Sequence, residues 1–293
     1  MKRLIAILAG LGLLLTSSPA RAHDGSKPQD KGPFTLKKLT GEIYALFGRG
    51  GNIGLAVTSE GVVVIDDQFA DLAPGIAEQI KSVTSQPIRF LINTHHHFDH
   101  TGGNGFFIKM TTIVAHDNVR KNMLMDAKTV PATEVPAPNL TFDREIRMYL
   151  GGKEIQVFHI KRGHTDGDSI IYFPQDKVVH MGDLFVNKNI PFIDTAHGGS
   201  TAEWIETLDA VISRVDPASQ LIPGHGEVGT VADLKSFKQY FLDLRAAVKK
   251  AVDGGMTREQ AVKEIKLEQY SGYNGYAQRF ASNVGTVYDE MKK

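Results

Sequence analysis

Six consecutive residues, His95-His96-His97-Phe98-Asp99-His100, constrain this chain more than any other stretch. The run Pro87 to Asn93 before them is short, apolar and opened by a proline, which reads as a buried strand. The run Thr101-Gly102-Gly103-Asn104-Gly105 after them is too rich in glycine to extend it and reads as a turn. A strand therefore delivers four imidazoles and a carboxylate to a loop at its C-terminal end, where open α/β sheets place their ligands. Four crowded imidazolium groups would repel one another, whereas neutral imidazole is the commonest metal ligand. His95 and His97, two apart, can face one metal, and Asp99 and His100 can turn toward a second. His96 alternates away from its neighbours and reads as structural.

The chain opens with a basic Met1-Lys2-Arg3, an uncharged apolar run from Leu4 to Leu15, and Ala20-Arg21-Ala22. These are the parts of a secretory signal peptide over residues 1–22. The apolar run falls short of the roughly 20 residues needed to span a bilayer, so no stable membrane anchor is expected after cleavage. The expected location is periplasmic or secreted. No cysteine occurs, which excludes disulfides, thiolate ligands and lipidation at the cleavage site. Any metal must be held by nitrogen and oxygen. Basic and acidic side chains balance at 33 each, and removal of Lys2, Arg3 and Arg21 leaves a slightly acidic mature chain. Nucleic acid is thus not an expected partner.

Residues 23–33 are polar and read as a flexible leader. Short strands with turns between them fill Phe34 to Asp66. Leu72 to Val83 has helical spacing, and Thr201 to Val215 is amphipathic, with Trp204, Leu208, Val211 and Val215 on one side. Val130 to Asn139 holds three prolines and reads as a loop. Strands resume between Arg144 and His180. From about Thr230 the chain is mostly helical, broken at Gly254-Gly255. Strands then one helix, twice over, predict two β-rich halves packed as a sandwich between helical layers.

Three further residues stand where strands stop. His164 lies in a turn-rich loop, Asp183 follows the strand Val178 to His180, and His225 sits between two glycines after Leu221-Ile222. Small neighbours leave room for a metal and a substrate.

In the H-x-H-x-D-H motif and the ordered His164, Asp183 and His225 loops, the chain resembles the metallo-β-lactamase-fold hydrolase superfamily. The resemblance implies an α/β, four-layer αββα sandwich over residues 34–230, with a C-terminal helical extension, residues 231–293, packed on the same domain. It implies two zinc ions per chain, with His95, His97 and His164 on the first, Asp99, His100 and His225 on the second, and Asp183 bridging. It also implies hydrolysis of a small-molecule substrate by a hydroxide shared between the metals, with Asp99 orienting it and handing a proton to the leaving group. Two nearby metals suit that chemistry on general grounds, since bound water ionises near neutral pH.

Weaker candidates surround these. Asp66, at the end of Val62 to Ile65, is placed to hydrogen-bond a ligand histidine. Asn187, Lys188 and His197 lie in the loop after Asp183, where substrate could reach them. His116, His159 and His180 read as structural. Typical β-lactamases of the family carry Cys or a non-ligand Ser where Asp183 stands, while an aspartate bridge is similar to the thioesterases, lactonases and phosphodiesterases. Export and the segment Gly163 to Tyr172 resemble the β-lactamases instead. The expectation is a hydrolase of a small cyclic or activated ester, thioester or amide. The alternatives are a β-lactamase proper and a non-catalytic zinc- or ligand-binding protein on the same scaffold.

Overall fold

The computed structural model describes residues 34–126 and 135–292. The expected signal peptide, the leader and part of the proline-containing loop lie outside the described residues.

Seven strands form the first sheet in sequence order: β1 (Thr35–Lys38), β2 (Ile43–Phe47), β3 (Ile53–Thr58), β4 (Gly61–Ile65), β5 (Ile88–Ile92), β6 (Thr112–His116) and β7 (Leu140–Phe142). The first four pair antiparallel through hairpins, and β4 to β7 run parallel. The second sheet holds β8 (Glu145–Leu150), β9 (Lys153–Phe158), β10 (Ile170–Phe173), β11 (Val178–His180), β12 (Gln220–Ile222) and β13 (Gly229–Thr230). Its one parallel pair is β11 with β12.

Strand periodicity decides what each face touches, because successive side chains point to opposite sides. On β4, Val63 and Ile65 enter a buried cluster with Ile171 and Phe173 of β10, which lies between the sheets. Val62 and Val64 point the other way, against Ile76 and Ile80 of helix α1 (Ala73–Val83). On β10, Ile170 and Tyr172 face a third cluster of helical residues. Both sheets are thus covered on both faces, and the layers run helix, sheet, sheet, helix.

Where the sequence reads as a glycine turn, the chain instead makes two single-turn helices, α2 (Phe98–Thr101) and α3 (Asn104–Phe107). The glycines there serve close approach. A Cβ on Gly102 would lie 2.8 Å from the Gln68 carbonyl oxygen, and one on Gly103 would lie 2.7 Å from that of Asp67. Helix α4 (Asp117–Asp126) follows β6.

Helix α5 (Thr201–Arg214) starts at Ser200, whose hydroxyl accepts from the Glu203 N–H and so satisfies one of the free amides of the first turn. It buries Trp204, Leu208 and Val211 against the second sheet. Helix α6 (Val231–Asp253) opens on a reciprocal Thr230–Asp233 capping box and ends at Gly254-Gly255. With α7 (Arg258–Glu264) and α8 (Tyr276–Met291), it places Phe237, Phe241, Ala261 and Val287 in the same cluster as Trp204.

The parallel pairs position the chemistry. Asp66 follows Ile65 directly, and His95, Asp183 and His225 each stand three residues past Ile92, His180 and Ile222. Ile65 is in register with Ile92, and His180 with Ile222. Loops from both sheets therefore meet at one C-terminal edge.

Candidate metal centre

Seven of the sequence candidates converge. His95, His97 and His164 form one set of donor atoms, and Asp99, His100 and His225 form another. His97 Nδ1 lies 3.1 Å from His95 Nε2 and 2.8 Å from His164 Nε2. In the second set, Asp99 Oδ2 is 3.2 Å from His225 Nε2 and 3.7 Å from His100 Nε2. Asp183 stands between the sets. Its Oδ1 is 3.3 Å from His100 Nε2 and 3.5 Å from His225 Nε2, while its Oδ2 is 3.6 Å from His164 Nε2.

The far nitrogens of four imidazoles explain why the near ones suit a cation. His95 Nδ1 donates to Thr94 Oγ1, whose own proton goes to Asp66 Oδ2. His97 Nε2 donates to Asp194 Oδ2 at 2.9 Å, and His164 Nδ1 donates to the Phe192 carbonyl at 2.8 Å. His100 Nδ1 donates to Asp66 Oδ2 at 2.7 Å. An imidazole whose proton is held on one nitrogen offers a lone pair on the other. Three such lone pairs at about 3 Å would repel unless a positive charge sits among them. Donors at 2.0–2.1 Å around a tetrahedral zinc lie about 3.3 Å apart, close to these separations. His100 Nε2 and Asp183 Oδ1 are buried and make no hydrogen bond among the described residues. The residues present fit zinc.

Electrostatics agree. Burial pushes His164 down to about 4 and His95 well below the ordinary histidine value, so both stay neutral. Burial opposes the charged form of His100 too, but Asp183, Asp66 and Asp99 outweigh it and raise that histidine. Asp183 likewise raises His225. Burial works against ionisation of Asp99, yet His100 and His225 hold it down to about 2. The carboxylates thus favour positive charge on this side of the centre.

Local sequence keeps these groups in place. A Cβ on Gly224 would collide with Asp183 Oδ1, and a Cβ on Gly51 would collide with the His100 ring. The Trp204 indole N–H donates to the Leu184 carbonyl at 3.0 Å, tying α5 to the turn that carries Asp183. Asp194, Gly51 and Thr94 belong to no motif that the sequence displays. Only Thr94, adjacent to the histidine run, carried a local signal.

The weaker candidates separate. Asn187 and Lys188 line a cleft of about 990 Å³ that also reaches Asp99 and His225. His197 does not line that cleft. It is held between Asp194, 2.7 Å from its Nδ1, and Asp126, 3.1 Å from its Nε2. His116 and His159 stack with ring centres 4.2 Å apart, and His180 hydrogen-bonds the Asn52 carbonyl.

Residues 46–225 match the sequence profile of the family described as "Metallo-beta-lactamase superfamily". This chain belongs to that superfamily. As a superfamily member with such His/Asp clusters, it is a metal-dependent hydrolase. The metallo-beta-lactamase type 2 of Bacillus cereus is 24% identical over 173 residues, covering 59% of this chain and 65% of the Bacillus protein. The match thus spans just under two thirds of that relative. The protein of the same name from Elizabethkingia meningoseptica is 26% identical over 207 residues, covering 66% of this chain and 74% of its own. Among solved structures, a metallo-beta-lactamase from Pontibacter korlensis aligns at a TM-score of 0.63 with 21% identity, over 71% of this chain and 99% of its own. The sec-alkylsulfatase Pisa1 from Pseudomonas sp. aligns at 0.71 with 17% identity, over 88% of this chain and 50% of its own. Both share the αββα fold.

Proposed function

We propose that this superfamily member is an exported, periplasmic or secreted, dinuclear zinc hydrolase acting on a small cyclic or activated ester, thioester or amide. One observation carries the reading: Asp183 turns Oδ1 toward His100 and His225 and Oδ2 toward His164, as a bridging carboxylate must. His95, His97 and His164 would hold one zinc, and Asp99, His100 and His225 the other. Zinc supplies a Lewis acid and brings water close to ionisation at neutral pH. The chain's own residues do the rest. Asp99 Oδ2 lies toward His225 and His100, which leaves Oδ1 to take a proton from the attacking water. Water adds to the carbonyl carbon, the carbon–heteroatom bond breaks, and the same carboxyl returns the proton to the leaving atom. Lys188 and Arg279 line the cleft beside Asp99, which suits a substrate bearing a carboxylate or another anionic group, while Arg49 at its edge is paired with Asp71.

The relatives named as metallo-beta-lactamases favour a second reading, a β-lactamase proper. Asp183 weighs against it, because typical family β-lactamases carry Cys or Ser at this place. The zinc-loaded protein should be assayed on a β-lactam, a lactone, a thioester and a phosphodiester, with metal content measured alongside. The proposal expects ester, lactone or thioester turnover above β-lactam turnover, and chelation abolishing it. Turnover of the β-lactam alone would favour the second reading. Inactivity on all four would overturn both.

A further inference from the structure

A third group of metal-type donors lies beside the centre and takes no part in it. The His96 side chain is 3% exposed, and neither ring nitrogen has a hydrogen-bond partner among the described residues. Its Nε2 lies 3.8 Å from Asp126 Oδ2 and 3.7 Å from Asp194 Oδ2. Those separations are too long for hydrogen bonds but ordinary between donors that share one cation. The His197 ring packs 4.2 Å from that of His96, and its Nε2 lies 3.1 Å from Asp126 Oδ1. Donor atoms of His96, Asp126 and His197 all fall within 4.8 Å of one another. Asp194 Oδ2 accepts from His197 Nδ1 at 2.7 Å, the arrangement that fixes the proton of a metal-binding histidine on the far nitrogen.

The geometry points to a third divalent-metal site, formed by His96 Nε2, the Asp126 carboxylate and His197 Nε2, with Asp194 orienting His197. Its two imidazoles and one carboxylate suit zinc or a similar ion that accepts nitrogen, and not calcium, which wants six or more oxygens. The Asp126 side chain is 44% exposed, so an ion has a path in and water can complete the shell. The site also gives the buried His96 nitrogen a partner, where an unmet buried polar atom is costly. It shares no ligand with the sets around Asp183, and it adjoins them through Asp194, which also holds His97 Nε2, and through the His96 ring, which packs 4.5 Å from that of His97.

The test counts metal. Wild type, Asp126→Ala and His197→Ala are stripped with chelator, dialysed against buffered free zinc, and analysed for zinc per chain. Each variant should hold one equivalent fewer than wild type, with an unchanged circular dichroism spectrum. Equal zinc in wild type and both variants would overturn the site and leave His197 as an imidazolium between two carboxylates. A His164→Ala, His225→Ala background separates this result from the fate of the dinuclear reading. That background should keep one equivalent, and adding Asp126→Ala should remove it. Should the background fail to fold, the single variants decide.

Discussion

Asp66 Oδ2 lies 2.7 Å from His100 Nδ1, and neither side chain is exposed to solvent. Asp66 holds a left-handed backbone, φ 62°, which is uncommon outside glycine. The conformation is maintained because its two oxygens also accept from the Thr94 N–H and hydroxyl, at 2.7 and 2.8 Å. One carboxylate thus joins the ends of two neighbouring strands and aims an imidazole. Asp66→Ala would leave the His100 N–H and the Thr94 donors unmet. Zinc affinity at the His100 set, or turnover, should fall about 10–100-fold, as losses behind a metal ligand typically do. Zinc titration of the apo variant checks this, and wild-type affinity would refute it.

Asp183→Asn keeps the shape of the proposed bridge but removes its charge, and Asp183→Ser removes its reach as well. Both should weaken the Asp99–His100–His225 zinc more than the other, by about a hundredfold. Stepwise zinc titration resolves the two affinities. An unchanged weaker site in both variants would show that Asp183 is not a ligand.

Gly51→Ala places a methyl group where the His100 ring stands. Activity and second-site zinc should drop steeply. Stability of the metal-free protein should change far less, because Gly51 lies in a loop outside the apolar clusters. Parallel metal analysis and thermal melts separate the effects. Full metal content would refute the clash.

Burial pushes the Asp168 carboxyl up to about 8, although the Thr165 N–H and hydroxyl beside it work in the opposite direction. The folded metal-free chain therefore keeps a proton there that the unfolded chain releases above about 4. Between these values the unfolded state binds fewer protons, so this group's contribution to stability is greatest at the acid end and is lost as pH rises toward 8. Asp168→Asn should flatten that part of the profile. Urea midpoints from pH 4.5 to 8 measure it, and identical slopes for variant and wild type would sink the assignment.

Lys188→Ala should raise KM for an anionic substrate about tenfold, the scale of one partly exposed charge-assisted hydrogen bond, with kcat little changed. The same variant should leave a neutral ester unaffected. Equal effects on both substrates would remove Lys188 from recognition.

The layers and the seven converging residues were legible in the sequence because both depend on local pattern. Alternation on β4 and β10 sets the faces, and His95, Asp183 and His225, each three residues past a strand, are carried by that strand's end, with His97, Asp99 and His100 following in the same motif. What the sequence did not reveal depends on distant chain. Gly51 matters only because His100 packs against it. Asp194 sits in an irregular loop with no motif around it, and its role exists only once that loop folds over His97. His197 was placed near substrate by its position in the chain, yet Asp126 on α4 turns it elsewhere. The glycines after His100 looked like a turn because close packing and chain reversal favour the same residue.

Each donor set draws on both sheets. His95, His97, Asp99 and His100 come from loops of the first, and His164, Asp183 and His225 from loops of the second. A fragment carrying only one sheet therefore owns no complete set, and neither does a chain whose second half has yet to fold. If the proposed zinc centre forms, high-affinity capture would await the docking of the two halves, and a bound ion would resist their separation. Metal uptake in this protein should accordingly serve as a clock for the last step of folding, read in the rate at which a refolding chain withdraws zinc from a fluorescent chelator.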